Sequence, residues 1–187
     1  MTEEGFDLGK TSQEIEKNGG TPPVDQWDPS FCGDIDMRIA RDGKWFYMGT
    51  PIGRQKMVNL FSKVLWLEEG KYYLKTPVEK VGIQVDDAPF LFTGFEKRIG
   101  DHGDELVFTS STEDIVVLGE EHRLWVDTCS DTAEPSPYIE VRFGMKGLIH
   151  RNVFYQLVEM AQEKEVDGRS MLVIESQGHS FELGAVD

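Results

Sequence analysis

The sequence predicts an α+β protein built from two related β-rich halves. Three observations lead there: apolar residues alternate through most of the chain after residue 30, two stretches switch to helical spacing, and those stretches share their surroundings. Domain boundaries follow from the same pattern, with an N-terminal arm over 1–30, a first repeat domain over 31–87 and a second over 88–187.

Within the arm, TSQEIEK (11–17) is predicted as a short helix capped by Thr11 or Ser12, with Glu14 completing a capping box. Gly-Gly and Pro-Pro in NGGTPPVDQWDP force a loop, and Trp27 and Phe31 are expected to anchor it. DIDMRIA and KWFYM then read as a hairpin turning at Asp42-Gly43. Thr50 as N-cap and Pro51 as first residue predict a helix from about Pro51 to Trp66, whose inner face is Met57, Leu60, Phe61, Val64 and Leu65. From there to residue 143 the chain reads as successive strands, with linker composition only in SDTAEPSP (130–137). A second helix is expected over about Leu148 to Lys164, and a closing hairpin turns at Gln177-Gly178.

The repeat is visible in IDMR (35–38) against IEVR (139–142), and in Ile52 and Arg54 against Ile149 and Arg151. Met57, Leu60, Phe61 and Val64 match Phe154, Leu157, Val158 and Ala161 in the same order. A shared sequence of strand, Ile-x-Arg, apolar helix and hairpin argues for internal duplication.

Charge bounds the partners. With 34 acidic and 19 basic residues the net charge is −15, which disfavours nucleic acid polymers and anionic membrane surfaces. No charged-then-apolar leader opens the chain and the apolar runs are too short to span a bilayer, so a cytoplasmic location is expected. Cys32 and Cys129 form no CxxC framework, and phosphate loops, nucleophile elbows and zinc spacings are absent. No catalytic residue, metal site or cofactor is assigned.

Two clusters carry the functional question. Asp34 and Asp36 alternate on one strand face with Arg38, which an ordinary solvated face explains; with Asp42 they would otherwise serve a metal-dependent hydrolase or transferase. Arg54 and Arg151 fall in first helical turns, where negative charge is favoured, so each needs an anionic neighbour. That neighbour is either Asp36 or Glu140 on the preceding strand, or an external anion. The candidate ligand site is therefore Arg54 with the Thr50 to Gly53 amides, supported by Arg38, Arg142 and Arg151, with Trp45 or Tyr47 stacking on a ring.

PPVDQWDPSFCGDIDMRIARDGKWFYMGTPIGR, YYLKTPVEKVGIQVDDAPF, GLIHRNVFYQLVE and ESQGHSFELG together resemble DUF1285, a family of bacterial proteins without an established activity. The resemblance implies a duplicated core, a C-terminal half similar to pleckstrin-homology folds, and a nucleotide-like ligand with a signalling role in a cleft between the halves. The combined expectation is a non-catalytic sensor of a small anionic or nucleotide-like molecule. A protein-interaction module with a protein partner is the alternative.

Overall fold

The structure is a computed structural model and describes residues 7–17 and 22–186. It divides into two compact units, with the chain boundary between Pro89 and Phe90. Strand makes up 51% of the described residues and helix 17%, so each unit is a sheet protein with a helix inserted between strands.

The first unit begins with helix α1 (Leu8–Lys17). Its cap is Asp7, whose Oδ1 accepts the Lys10 amide at 2.9 Å. Thr11 and Ser12 therefore lie inside the helix rather than at its cap, and the side chain of Glu14 lies outside the described residues. α1 is tied down by Thr11, which donates to Glu79 Oε1 at 3.2 Å, and by the buried Ile15. A 3-10 turn (Val24–Gln26) follows, with Val24 fully buried. Val24 is the buried anchor of this segment, whereas Trp27 is half-buried and Phe31 is 55% exposed, packed edge-to-face with Tyr73 at a centroid separation of 5.8 Å.

Strands β1 (Phe31–Ile39) and β2 (Trp45–Tyr47) form the expected hairpin. The Gly43 amide donates to Ala40 O and Gly43 has φ +85°, so the connection is a type I turn closed by a glycine bulge. Chain 50–66 departs from expectation. Met48 and Gly49 both have positive φ and make a two-residue hairpin turn, which folds β3 (Thr50–Pro51) back onto β2. The helix α2 (Gln55–Ser62) consequently starts four residues late, with Arg54 as N-cap, and stops before β4 (Leu65–Glu68). β5 (Lys71–Lys75) and β6 (Lys80–Val85) complete a six-stranded sheet of order β3-β2-β1-β6-β5-β4, in which β1 and β6 run parallel.

Directly paired residues share a face of a sheet, and the register sorts this one cleanly. Met37, Ile39, Trp45, Leu65, Leu74 and Val81 are buried on the face that meets Val58 and Phe61 of α2. Trp45 stacks on Phe61 with centroids 6.5 Å apart. The opposite face carries Asp34, Asp36, Arg38, Trp66, Tyr73, Lys75 and Lys80.

The second unit pairs β7 (Phe90–Gly100), β8 (Gly103–Ser110), β9 (Ile115–Val117), β10 (Leu124–Thr128), β11 (Pro135–Arg142) and β12 (Met145–Ile149) in the order β10-β11-β12-β7-β8-β9. Helix α3 (Arg151–Met160) is followed by a three-stranded sheet of β13 (Gln162–Val166), β14 (Arg169–Ser176) and β15 (His179–Ala185). Residues 162–164, expected as helix, are strand: Ala161 is extended at ψ 150° and the polar QEKEV segment pairs with β14 as an edge. The linker-like PSP instead begins β11. Buried Ser176 joins the two sheets, accepting the Leu106 amide at 2.9 Å and donating to Leu118 O at 2.6 Å.

Duplication is plain in the turns. In each unit a hairpin closes on an X-Gly pair with both φ positive, Met48-Gly49 in one and Phe143-Gly144 in the other. A helix follows, then a second such pair, Glu69-Gly70 or Asp167-Gly168, opens an antiparallel three-stranded meander. The copies differ in pairing: the first meander joins β1 in a single sheet, while the second stands as its own sheet and β12 pairs with β7.

Candidate functional site

The residues singled out by sequence are not gathered at one place. Arg38 lies over Phe46, its cross-strand partner, at 4.9 Å and donates to Asp86 Oδ2 at 2.5 Å. Arg142 repeats the device over Phe90 at 4.8 Å with Asp114 Oδ1 at 2.8 Å. Asp114 is held in turn by the Ser110 and Thr112 hydroxyls, so Arg142 closes a satisfied polar network. Arg151 pairs with Glu134 at 3.4 Å, not with Glu140. Arg54 is exposed and makes no ion pair among the described residues, Asp36 included; Thr50 and Gly53 beside it are exposed too. Trp45 is core, and Tyr47, on the same face, is half-buried.

Asp34, Asp36 and Asp42 are exposed, and the two strand aspartates sit on the outer face as the alternation requires. Asp34 lies against Gly82, where an added Cβ would meet its Oδ1 at 2.0 Å. Among the described residues no group of three or more His, Cys, Asp or Glu converges as a metal ligand set.

A better-framed constellation lies on that outer face, where Asp25, Trp27 and Asp28 line a pocket together with residues of β4, β5 and β6. The register places Lys75 directly opposite Lys80, and Trp66 opposite Tyr73. Like charges directly opposed across strands are unfavourable, and the two ammonium groups resolve the conflict by diverging. Lys80 passes over the Tyr73 ring at 5.1 Å and binds Glu68 Oε2 at 2.9 Å. Lys75 turns onto the diagonal neighbour, its Nζ 3.7 Å above the centre of the Trp66 ring.

Lys75 is 5% exposed, and among the described residues its ammonium makes no hydrogen bond or ion pair. No buried side-chain nitrogen or oxygen among those residues lacks a partner. The stem is therefore enclosed while the Nζ tip opens to solvent, and the opening is a pocket of about 220 Å³ that Lys75 lines together with Asp25, Trp27 and Asp28.

Electrostatics follow the geometry. Burial pushes the Lys75 ammonium below the usual lysine range, outweighing Glu68, Asp28 and Asp25, which pull the other way. The hydrogen bond to Glu68 raises Lys80, and the same bond lowers Glu68. One ammonium of the pocket is thus neutralised and the other is left facing an aromatic floor.

This architecture is a recognised one. The profile of the N-terminal domain of DUF1285, a domain of unknown function, matches residues 22–88, and that of the DUF1285 C-terminal domain matches residues 89–183. The chain belongs to the DUF1285 family. A DUF1285 protein from Silicibacter pomeroyi DSS-3 is 45% identical, with 96% of each chain covered and a TM-score of 0.86. A DUF1285 protein from Shewanella baltica OS155 is 31% identical over 66% of this chain and 90% of its own, with a TM-score of 0.52. None of the curated proteins matches.

Sequence reading of this DUF1285 chain missed Lys75, Trp66 and Lys80. YYLKT is an unremarkable strand until its partners are known. The one local signal is a lysine spaced to share a face with Tyr73, and only pairing with β6 shows that a second lysine opposes it.

Proposed function

We propose that this DUF1285 protein is a non-catalytic binder of a small molecule bearing an anionic group, acting as a cytoplasmic sensor in signalling, with Lys75 as the anion holder. A single observation carries the reading: Lys75 is enclosed, makes no hydrogen bond or ion pair among the described residues, and lines a pocket floored by Trp66. An ammonium so placed is stabilised by an incoming anion more than a surface lysine is, because less solvent competes. The nucleotide-like ligand expected from the family resemblance belongs to this chemical class. Arg38, Arg142 and Arg151 already hold carboxylates, which leaves them less available as primary anion holders. In this reading the ligand is held within the N-terminal unit.

The test is thermal denaturation of the purified protein with inorganic phosphate, nucleoside monophosphates, small carboxylates and α-amino acids at millimolar concentration. A ligand present at ten times its Kd stabilises by about 1.4 kcal/mol. At least one class is expected to raise Tm in the natural protein and not in Lys75→Met. Absence of a shift with every compound, or equal shifts in Lys75→Met, overturns the proposal.

A further inference from the structure

The charges around Lys75 narrow the ligand further, on the premise that this pocket is the binding site. Glu68 and Lys80 satisfy one another. What remains is one ammonium, Lys75, and two carboxylates, Asp25 and Asp28, which line the same pocket and make no hydrogen bond or ion pair with other described residues. Both carboxylates act on the charge of Lys75 without coming within ion-pair distance, so a gap separates the two signs. Trp66 floors that gap and Trp27 borders it. We infer that the pocket takes a small zwitterion of the α-amino acid kind, its carboxylate on Lys75, its ammonium between Asp25 and Asp28, and its apolar side chain against the indoles.

Three features select this class over a nucleotide. A phosphomonoester brings up to two negative charges to a site holding one more carboxylate than ammonium groups, and the uncommitted charges alone are two negative against one positive. A zwitterion instead pairs both signs at once. The pocket volume of about 220 Å³ also falls below the roughly 300–1,000 Å³ of sites for drug-sized ligands. Finally, an indole face favours both apolar and cationic groups, and an α-amino acid presents both.

Isothermal titration with four probes decides the matter: L-phenylalanine, L-leucine, 3-phenylpropanoate, which lacks the ammonium, and adenosine monophosphate. At least one of the two amino acids is expected to bind about tenfold or more tighter than 3-phenylpropanoate and than the nucleotide. In the double variant Asp25→Asn/Asp28→Asn, both positions being exposed, that preference is expected to fall to within about threefold. Equal or tighter binding of 3-phenylpropanoate or the nucleotide overturns the zwitterion assignment while leaving Lys75 as an anion holder. A preference undiminished in the double variant overturns it as well. Failure of all four probes and of the wider anion panel overturns both readings.

Discussion

Replacing Lys75 by methionine separates a binding role from a structural one, because the two roles predict opposite signs of stability change. Methionine keeps most of the enclosed stem and adapts to irregular space, so little cavity forms. The substitution removes the ammonium and its contact 3.7 Å above Trp66, a loss of about 0.5–2 kcal/mol. It also removes the cost of partly desolvating that ammonium, which is well below the several kcal/mol of a fully buried ion because its tip opens to the pocket. Asp25, Asp28 and Glu68 offset part of this cost, yet burial is the largest influence on Lys75 and holds its ionisation below the ordinary lysine range. The balance runs from about neutral to about 1 kcal/mol in favour of Lys75→Met, the low end of what is seen when buried charges give way to apolar groups of similar volume. Urea denaturation at pH 7, followed by tryptophan fluorescence, measures it, with Trp27, Trp45 and Trp66 all reporting on the N-terminal unit. The pH dependence gives an independent check. With the folded ionisation lowered, the unfolded chain binds more protons between the folded value and 10.5, so stability of the natural protein rises with pH across that window. The advantage of Lys75→Met should shrink there. Destabilisation of 1 kcal/mol or more by Lys75→Met refutes the argument and makes Lys75 a structural strut.

Other perturbations test the frame around the site. Gly147→Ala sets a Cβ 2.2 Å from Phe92 Cε2 and is expected to cost about 1–3 kcal/mol in urea denaturation. Ser176→Ala strands the Leu106 amide and the Leu118 carbonyl, for a loss of about 1–3 kcal/mol and faster amide exchange at Leu106. Glu68 is held below 4.5 chiefly by Lys80, so its contribution is present above that pH and disappears as pH falls through the folded value. Glu68→Gln should therefore flatten the acid limb of the stability profile and leave Lys80 to compete for the ligand anion, readable as altered affinity.

What the sequence disclosed depended on how local each cause was. The Asp42-Gly43 and Gln177-Gly178 hairpins are encoded within a few residues and form where expected. Of the expected helix face only Phe61 is fully buried within α2; Val64 and Leu65 are buried beyond its end at Ser62, while Met57 and Leu60 are half-buried and Val58 is buried in their place. The start of α2 was misplaced because Thr50 and Pro51 favour a helix start, while the Met48-Gly49 turn commits them to a strand. QEKEV is composed of good helix formers, and the edge of β14 overrides that propensity. The candidate site was illegible for a stronger reason. The Lys75–Lys80 opposition needs the β5–β6 register, and enclosure of Lys75 needs a segment some fifty residues earlier in the chain. The arginines, conspicuous by repetition, repeat because each braces an aromatic ring and a nearby aspartate in its own unit.

The paired X-Gly turns also order events in time. Five two-residue turns, at 48–49, 69–70, 143–144, 167–168 and 177–178, join strands adjacent in sequence, so those hairpins can zip in microseconds without awaiting the rest of the chain. The parallel ladders cannot. Ile39 must find Val85 across α2, which has to be seated as the ladder closes, and Phe90 must find Gly147 across four intervening strands, each tens of residues apart. Loop-closure entropy therefore loads the folding barrier of each unit onto one parallel seam. Conservative truncations at Ile39 or Leu148 should slow refolding, whereas changes in the β13–β14 hairpin should mainly speed unfolding.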